Sequence, residues 1–183
     1  MITTWSEKPV YVTITPFSGQ PEHEQVSRSN LIDISFEPLT ANEEIELQTR
    51  LQNCSIIVQA TDYVYVYATA IVEVSLKIFD IPVYLMLLAD GFLAVPVPRL
   101  GTEYYVASWA PSSWPSTFVV TALDEAANVN IHFSGGSRGE KHVYLSPYET
   151  YYCMDDEYDL TGTLIKADTP VAVISSHNCA CVP

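Results

Sequence analysis

Short runs of β-branched and aromatic residues, separated by turn residues, constrain the fold of this chain more than any other feature. The clearest runs are Val10–Ile14, Ile56–Val58, Tyr63–Tyr67 and Phe118–Thr121. Valine, isoleucine, threonine and tyrosine are enriched in β-strands. The segments between the runs contain Gly, Pro, Asp and Thr, which punctuate strands with turns. The sequence therefore predicts an almost entirely β chain.

The run Tyr63–Tyr67 alternates tyrosine and valine strictly. In a strand this pattern puts the tyrosines on one face and the valines on the other, as in a half-buried strand. Exposed tyrosines are typical of surfaces that recognise proteins or sugars. We therefore predict a recognition surface made of Tyr63, Tyr65, Tyr67 and Tyr104. Ordinary cross-strand packing of these tyrosines is the alternative.

Residues 41–52 fit two patterns. Glu43, Glu44, Leu47 and Leu51 have helical spacing, but the segment also fits a strand of a polar hairpin. We favour the strand, because the neighbouring segments all read as strands.

An internal repeat emerges when the sequence is shifted on itself by about 107 positions. Tyr11–Ile14 then lies over Phe118–Thr121, and Ile57–Tyr67 lies over Leu164–Ile174. Any two strand–turn–strand patterns share some likeness, which is the alternative interpretation. The shared order of the matching segments favours a duplication and predicts two tandem β-sandwich-like units.

The stretch DGFLAVPVPRLG, residues 90–101, predicts the joint between the units. Asp90-Gly91 is a turn signal, and the prolines that follow exclude a central hydrogen-bonded strand. Residues 96–101 are therefore expected to form the crossover. The predicted domains are residues 1–98 and residues 99–183.

Composition limits the function classes. Of the 183 residues, 48% are hydrophobic and 16% are charged, which indicates a folded domain rather than a disordered chain. The net charge of −14 argues against nucleic acid and anionic membranes as partners. The most apolar window, residues 68–98, is interrupted by charges and prolines, so we expect no membrane insertion. The opening MITTWSEKPVYV lacks the pattern of a signal peptide.

Three stretches of the second half resemble motifs of a known family. They are GFLAVPVPRLGTEYYVASW, FVVTALDEAANVNI and DLTGTLIKADTPVAVISSHNCACVP. In this order they are similar to signatures of the IgGFc-binding protein N-terminal domain family, and they cover about residues 91–183. The resemblance implies a secreted or cell-surface β-rich module of adhesive or mucus-associated proteins, without catalysis. Its partner would be a protein or glycoprotein.

The chain departs from the family pattern at its end. In the family the Cys…Val-Pro motif is followed by a Cys-Asp-His-Leu segment and further strands, whereas this sequence ends at Pro183. The resemblance therefore implies a truncated second unit. Residues 164–174 should then be less covered than residues 57–67, and the exposed sheet edge should favour self-association.

The four cysteines are candidates for disulfide bonds: Cys54, Cys153, Cys179 and Cys181. Cys179 matches a family cysteine. The spacing of His177, Cys179 and Cys181 suits soft metal ligands, but the set is incomplete for a closed zinc site, so no metal is predicted. Asn53 begins a formal glycosylation sequon, Asn-Cys-Ser.

No catalytic residue and no cofactor are predicted. The acidic cluster Asp155–Glu157 lacks the spacing of a calcium loop and reads as a solvated hairpin tip. Asp124 with His132 or His142 is an acid–base combination that any chain of this size offers, and no catalytic motif occurs. The alternatives to an extracellular binding module are an intracellular or cell-surface interaction domain and, more remotely, a hydrolase.

Overall fold

The structure is a computed structural model that describes residues 1–16, 20–35, 48–51, 55–78, 81–111, 115–135 and 138–177. In chain order its strands are β1 (Ile2–Thr3), β2 (Val10–Thr15), β3 (Glu22–Val26), β4 (Gln48–Leu51), β5 (Ile57–Ala60), β6 (Tyr65–Ile78), β7 (Ile81–Leu93), β8 (Glu103–Tyr105), β9 (Ser116–Ala122), β10 (Ala127–His132), β11 (Glu140–Leu145), β12 (Thr150–Asp155), β13 (Leu164–Ala167) and β14 (Val171–His177). A single 3₁₀ turn, Val97–Arg99, follows β7. The predicted all-β fold is confirmed. No helix in these ranges is long and apolar enough to cross a membrane.

The described residues form two compact units. The first contains the described residues within 1–15, 20–35 and 57–95, and the second contains residue 16 and the described residues within 48–56 and 96–177. All strand pairs are antiparallel.

The first unit has two three-stranded sheets, with strand orders β3-β2-β5 and β1-β6-β7. Strand β2 buries every second residue, Val10, Val12 and Ile14. These side chains pack with Ile2 and Val26 into a small core. Burying alternate residues of a strand removes one face from water and leaves the other solvated.

Strands β6 and β7 form a long hairpin, and the predicted turn at Asp90-Gly91 is wrong. Gly91 lies inside β7, opposite Thr69 of β6. A Cβ atom at Gly91 would come within 3.0 Å of the Ala68 carbonyl oxygen and 3.1 Å of the Thr69 Cγ2. The glycine therefore permits a close approach of two strands rather than a reversal of the chain.

The second unit is a sandwich of two four-stranded sheets, β14-β9-β12-β4 and β11-β10-β13-β8. Its core takes buried residues from both sheets, including Val120, Tyr151 and Ile165. Phe118 of β9 is fully buried, and its ring lies 6.4 Å from the ring of Tyr151 and 6.5 Å from that of Phe133, centre to centre.

Strand β4 was expected in the first unit, because it lies in the first half of the sequence. It pairs instead with β12 of the second unit, with Leu51 opposite Thr150 and Gln48 opposite Cys153. The choice of a strand for this segment is confirmed for residues 48–51, and residues 41–47 and 52 lie outside the described residues.

The expectation that residues 164–174 are less covered than residues 57–67 is wrong. Ile165 and Val171 are fully buried, whereas no residue between 57 and 67 is. For Val171 the physical reason is its place in the core of the second unit, and for Ile165 it is also the position of its strand. Strand β13 lies between β10 and β8, whereas β5 is the outer strand of its sheet among the described residues.

Phe118→Ala should lower the free energy of unfolding of the protein by about 3–5 kcal/mol, because it removes a buried ring and leaves a cavity between the sheets. Chemical denaturation monitored by circular dichroism measures the change. Tyr105→Ala is the matched control, since this ring is 67% exposed, and a change of about 0.5 kcal/mol or less is expected. Equal effects of the two substitutions would contradict the assigned core.

Candidate functional site

Three aromatic side chains of the first unit surround a shallow depression. The exposed fraction is 67% for Trp5, 91% for Tyr63 and 40% for Tyr65. With Thr4, Ser6 and Asp62 they line a volume of about 210 Å³. We call this set of six residues the aromatic depression. Large apolar rings that remain this exposed in one place are typical of interaction sites.

The ends of two paired strands bring these residues together. Thr3, the last residue of β1, lies opposite Tyr65, the first residue of β6. The residues that follow β1 therefore meet the residues that precede β6. The buried Thr4 fixes this junction, because its Oγ1 donates a hydrogen bond to the Tyr63 carbonyl oxygen at 2.7 Å and accepts one from Ser6 N at 3.1 Å.

The turn between β5 and β6 is held by hydrogen bonds at both of its ends. Thr61 N donates to the Tyr11 carbonyl oxygen at 3.0 Å, and Thr61 Oγ1 accepts from Tyr11 N at 3.1 Å. Asp62 Oδ1 then accepts from Tyr63 N at 2.8 Å. Side chains of Thr and Asp that bond to nearby backbone groups stabilise turns in this way. These hydrogen bonds therefore hold in place the turn that leads into Tyr63.

Charges of both signs flank the aromatic depression. The Arg28 guanidinium lies over the Trp5 ring, 5.2 Å from its centre, in a cation–π contact. The Asp62 carboxylate lines the depression itself. Its Oδ2 has no hydrogen-bond donor among the described residues.

The predicted alternation of Tyr63–Tyr67 is confirmed. Tyr63, Tyr65 and Tyr67 are exposed, whereas Val64 and Val66 are half-buried and pack against the core of the first unit. Tyr63 and Tyr65 line the depression and Tyr67 does not.

Sequence reasoning missed Trp5. The residue stands outside any alternating run, in TTWSEKP, and its only signal is an aromatic ring among polar neighbours. Its position beside the tyrosines depends on the pairing of β1 with β6, which brings together Thr4 and Tyr63, 59 positions apart in the sequence.

Tyr104 has a different role from the one predicted. It belongs to the second unit and is half-buried against the core. Its hydroxyl donates to the Val171 carbonyl oxygen at 2.8 Å and accepts from Gly101 N at 2.6 Å. The hydroxyl thus ties two backbone segments together, which is a structural role.

A buried polar cluster lies on strand β12 of the second unit. Asp155 is buried, so the prediction that residues 155–157 form a solvated hairpin tip is wrong for Asp155. Its Oδ1 accepts hydrogen bonds from Glu157 N at 2.9 Å and Tyr158 N at 2.8 Å. Arg138 Nη2 lies 3.0 Å from Oδ2, close enough for an ion pair, although its direction is not that of a hydrogen bond.

The same arginine reaches the thiol of Cys153, with Nη1 3.9 Å from Sγ. An arginine beside a thiol can activate a nucleophile by stabilising the thiolate. Here burial outweighs the arginine and raises the pKa of the Cys153 thiol to about 11. The protonated thiol is a weak nucleophile, because the thiolate is the reactive form.

The remaining acid–base combinations lie on strand surfaces. His132 Nδ1 lies 3.0 Å from Glu140 Oε1, and the two residues are cross-strand neighbours on β10 and β11. His142 Nδ1 bonds to Asn130 Oδ1 in the same sheet. Asp124 is exposed in the turn before β10. The described ranges contain no group of three or more His, Cys, Asp or Glu that could hold a metal ion.

Several predicted sites lie outside the described residues. They are Asn53, Cys54, Cys179 and Cys181. Cys153 is buried and carries a free thiol. Disulfide bonds and glycosylation at the other positions remain predictions.

Comparison with known proteins matches the second unit to a family. The family model described as "IgGFc binding protein" matches residues 90–183. A human protein named IgGFc-binding protein is 31% identical over 103 residues, which is 50% of this chain and 2% of the human protein. The chain thus spans a small part of that relative's length. No solved structure matches.

The stability of the protein should fall in alkaline solution because of Cys153. Its pKa is about 11 in the folded state, against 9.0 as the ordinary value. The folded state therefore holds the proton more tightly, and the stabilisation is complete below pH 9 and lost as the pH rises through 11. The loss amounts to about 2–3 kcal/mol. Urea denaturation at several pH values should show this extra slope for the natural protein but not for Cys153→Ala, and parallel curves would contradict it.

Proposed function

Because the chain belongs to the IgGFc binding protein family, we propose that it is a non-catalytic, extracellular protein-binding module of the adhesion or mucus-scaffold type. The observation that carries the proposal is the aromatic depression. Trp and Tyr are the residues most enriched among the few that dominate binding energy at protein interfaces. A broad exposed surface of such rings suits binding, whereas an enzyme needs a concave pocket with displaced pKa values.

The chemistry of the second unit supports a binding role over the hydrolase alternative. Cys153, a nucleophile with an arginine beside it, has its pKa raised rather than lowered by its surroundings. His132 is half-buried and His142 is exposed, and each contacts a residue of the neighbouring strand. These contacts are those of cross-strand pairs, which stabilise sheets.

The proposal includes an internal duplication. Strand orders β3-β2-β5 and β11-β10-β13 have the same antiparallel connectivity in the two units. The register between the second and third strands of each set is also the same. In the first unit the facing pairs are Val12–Ala60, Thr13–Gln59, Ile14–Val58 and Thr15–Ile57. Their counterparts in the second unit, in the same order, are Val129–Ala167, Asn130–Lys166, Ile131–Ile165 and His132–Leu164.

The hydrogen bonds at equivalent positions support the duplication as well. Asp168 N donates to the Asn128 carbonyl oxygen at 3.2 Å, and Asp168 Oδ1 accepts from Asn128 N at 2.8 Å. This is the arrangement that Thr61 makes with Tyr11 in the first unit.

A histidine pair recurs in the same way. His23 Nδ1 lies 3.1 Å from Thr13 Oγ1, and His142 Nδ1 bonds to Asn130 Oδ1. Both histidines lie opposite the middle of the equivalent central strand. These shared contacts support the proposed duplication over a chance likeness of two strand–turn–strand patterns.

One segment of the sequence alignment must be replaced. Tyr11–Ile14 was set over Phe118–Thr121, but β2 has the neighbours of β10 and not those of β9. The counterpart of β9 is β1, since β1 pairs with β6 as β9 pairs with β14. The segments Ile57–Tyr67 and Leu164–Ile174 remain equivalent.

Self-association through a sheet edge is part of the proposal. Among the described residues β5 is the outer strand of its sheet, and Gln59 and Ala60 on it are exposed. Unpaired N–H and C=O groups of an outer strand are a template for another strand.

Cysteine chemistry distinguishes the extracellular proposal from the intracellular alternative. Mass spectrometry of native material, alkylated before and after unfolding, should find Cys153 modified only after unfolding, because it is buried. At least one disulfide among Cys54, Cys179 and Cys181, or a glycan at Asn53, is expected from an oxidising compartment. Four free thiols without a glycan would favour the intracellular alternative.

Binding is tested with two immobilised probes, the Fc fragment of human immunoglobulin G and a purified mucin. We expect saturable binding of the chain to at least one probe by biolayer interferometry. Trp5→Ala and Tyr63→Ala should each weaken it by about tenfold, as truncation of a central aromatic residue does. Tyr105→Ala removes a ring of the second unit that is as exposed as Trp5, and this variant should bind like the natural chain. Failure of the folded protein to bind either probe, or equal binding by all variants, would contradict the proposal.

A further inference from the structure

We infer that the aromatic depression binds the ring of a neutral sugar. The inference rests on the proposed binding function and names the class of ligand that this surface takes.

The size and shape of the depression fit one ring. Its volume is about 210 Å³, below the roughly 300–1,000 Å³ of pockets that enclose a drug-sized ligand. Trp5 and Tyr63 line the depression, and most of the surface of each residue is exposed to solvent. The C–H groups on one face of a sugar ring pack against such aromatic surfaces, because both are apolar.

The polar groups around the rings complement hydroxyl groups. Asp62 Oδ2 is an acceptor without a donor among the described residues. The Ser6 hydroxyl accepts from Lys8 N at 3.3 Å and retains its own proton for donation. A hydroxyl group both donates and accepts, so adjacent sugar hydroxyls can bond to the carboxylate and to the serine together.

The charges favour a neutral ligand. Arg28 lies against Trp5 and opposes a cation there, whereas the Asp62 carboxylate opposes an anion. A proline-rich peptide would also pack on the rings, but proline has no N–H to donate to Asp62. The carboxylate would then be desolvated without compensation.

The second unit shows that the turn does not need these rings. The equivalent turn of the second unit is held by hydrogen bonds between Asp168 and Asn128. When β1–β6 is aligned with β9–β14, Pro170 occupies the position of Tyr63, and Ala172 occupies that of Tyr65. Leu123 stands for Trp5 on the same basis. The same backbone arrangement therefore forms without aromatic side chains, and the exposed rings of the first unit call for another role.

The test uses polyacrylamide conjugates of neutral sugars, namely galactose, mannose, fucose and N-acetylglucosamine, on biolayer interferometry sensors. Multivalent display raises the apparent affinity of a weak single-ring site. We expect at least one conjugate to bind the full chain. Trp5→Ala and Tyr63→Ala should each lower the apparent affinity by about tenfold or more, and Asp62→Asn should lower it while the turn is retained. Tyr105→Ala should have no effect.

Three outcomes would overturn the inference. They are the absence of binding to every neutral conjugate, equal binding by Tyr63→Ala, and displacement of a bound conjugate only by a proline-rich peptide. Circular dichroism of each variant excludes misfolding as the cause of a loss.

Deglycosylated probes separate this inference from the proposed function. If enzymatic removal of glycans from the Fc fragment and the mucin abolishes binding, the sugar is the ligand. If binding survives deglycosylation and still requires Tyr63, the sugar inference fails and the protein-binding function stands.

Discussion

The ring of Phe118 lies between the two sheets of the second unit, and the packing around it holds these sheets together. Phe118 and Tyr151 come from neighbouring strands of one sheet, and Phe133 follows the central strand of the other. Among the described residues of this unit, all the other buried hydrophobic residues belong to the core cluster that contains Phe118. A β-sandwich depends on such contact, because a sheet with one bare apolar face is not stable in water.

Local alternation was the most reliable predictor. The tyrosine–valine pattern of residues 63–67 identified both the buried and the exposed face, since the period of two is a property of any strand. The Asp90-Gly91 signal failed, because the pairing of β7 with β6 overrode a local turn preference. The locations of Trp5 and of β4 depend on which distant strands pair, and no local pattern contains that information. The burial of Asp155 likewise comes from the Arg138 guanidinium and a backbone turn, which composition alone does not reveal.

Comparison of the two units distinguishes the side chains that stabilise the turn from those that form its surface. The bracing hydrogen bonds are made by a threonine in one unit and an aspartate in the other, on equivalent backbone groups. The residues that follow are aromatic in one unit and small or cyclic in the other. Under the proposed duplication, a fold that tolerates such different side chains at one turn can acquire a binding surface in one unit without loss of stability in the other.

Because β4 pairs with β12, the two units are not consecutive in the sequence. Residues 48–51 lie between segments of the first unit in the sequence, yet they complete a sheet of the second. Cutting the gene between the two halves would deprive β12 of its neighbour and expose a row of unpaired backbone groups along a strand that carries Cys153 and Asp155. Dissection into independent halves at a linear boundary is therefore a poor route to soluble fragments. A fragment of the second unit retains all four strands of this sheet only if it is supplied with residues 48–51 from the other half.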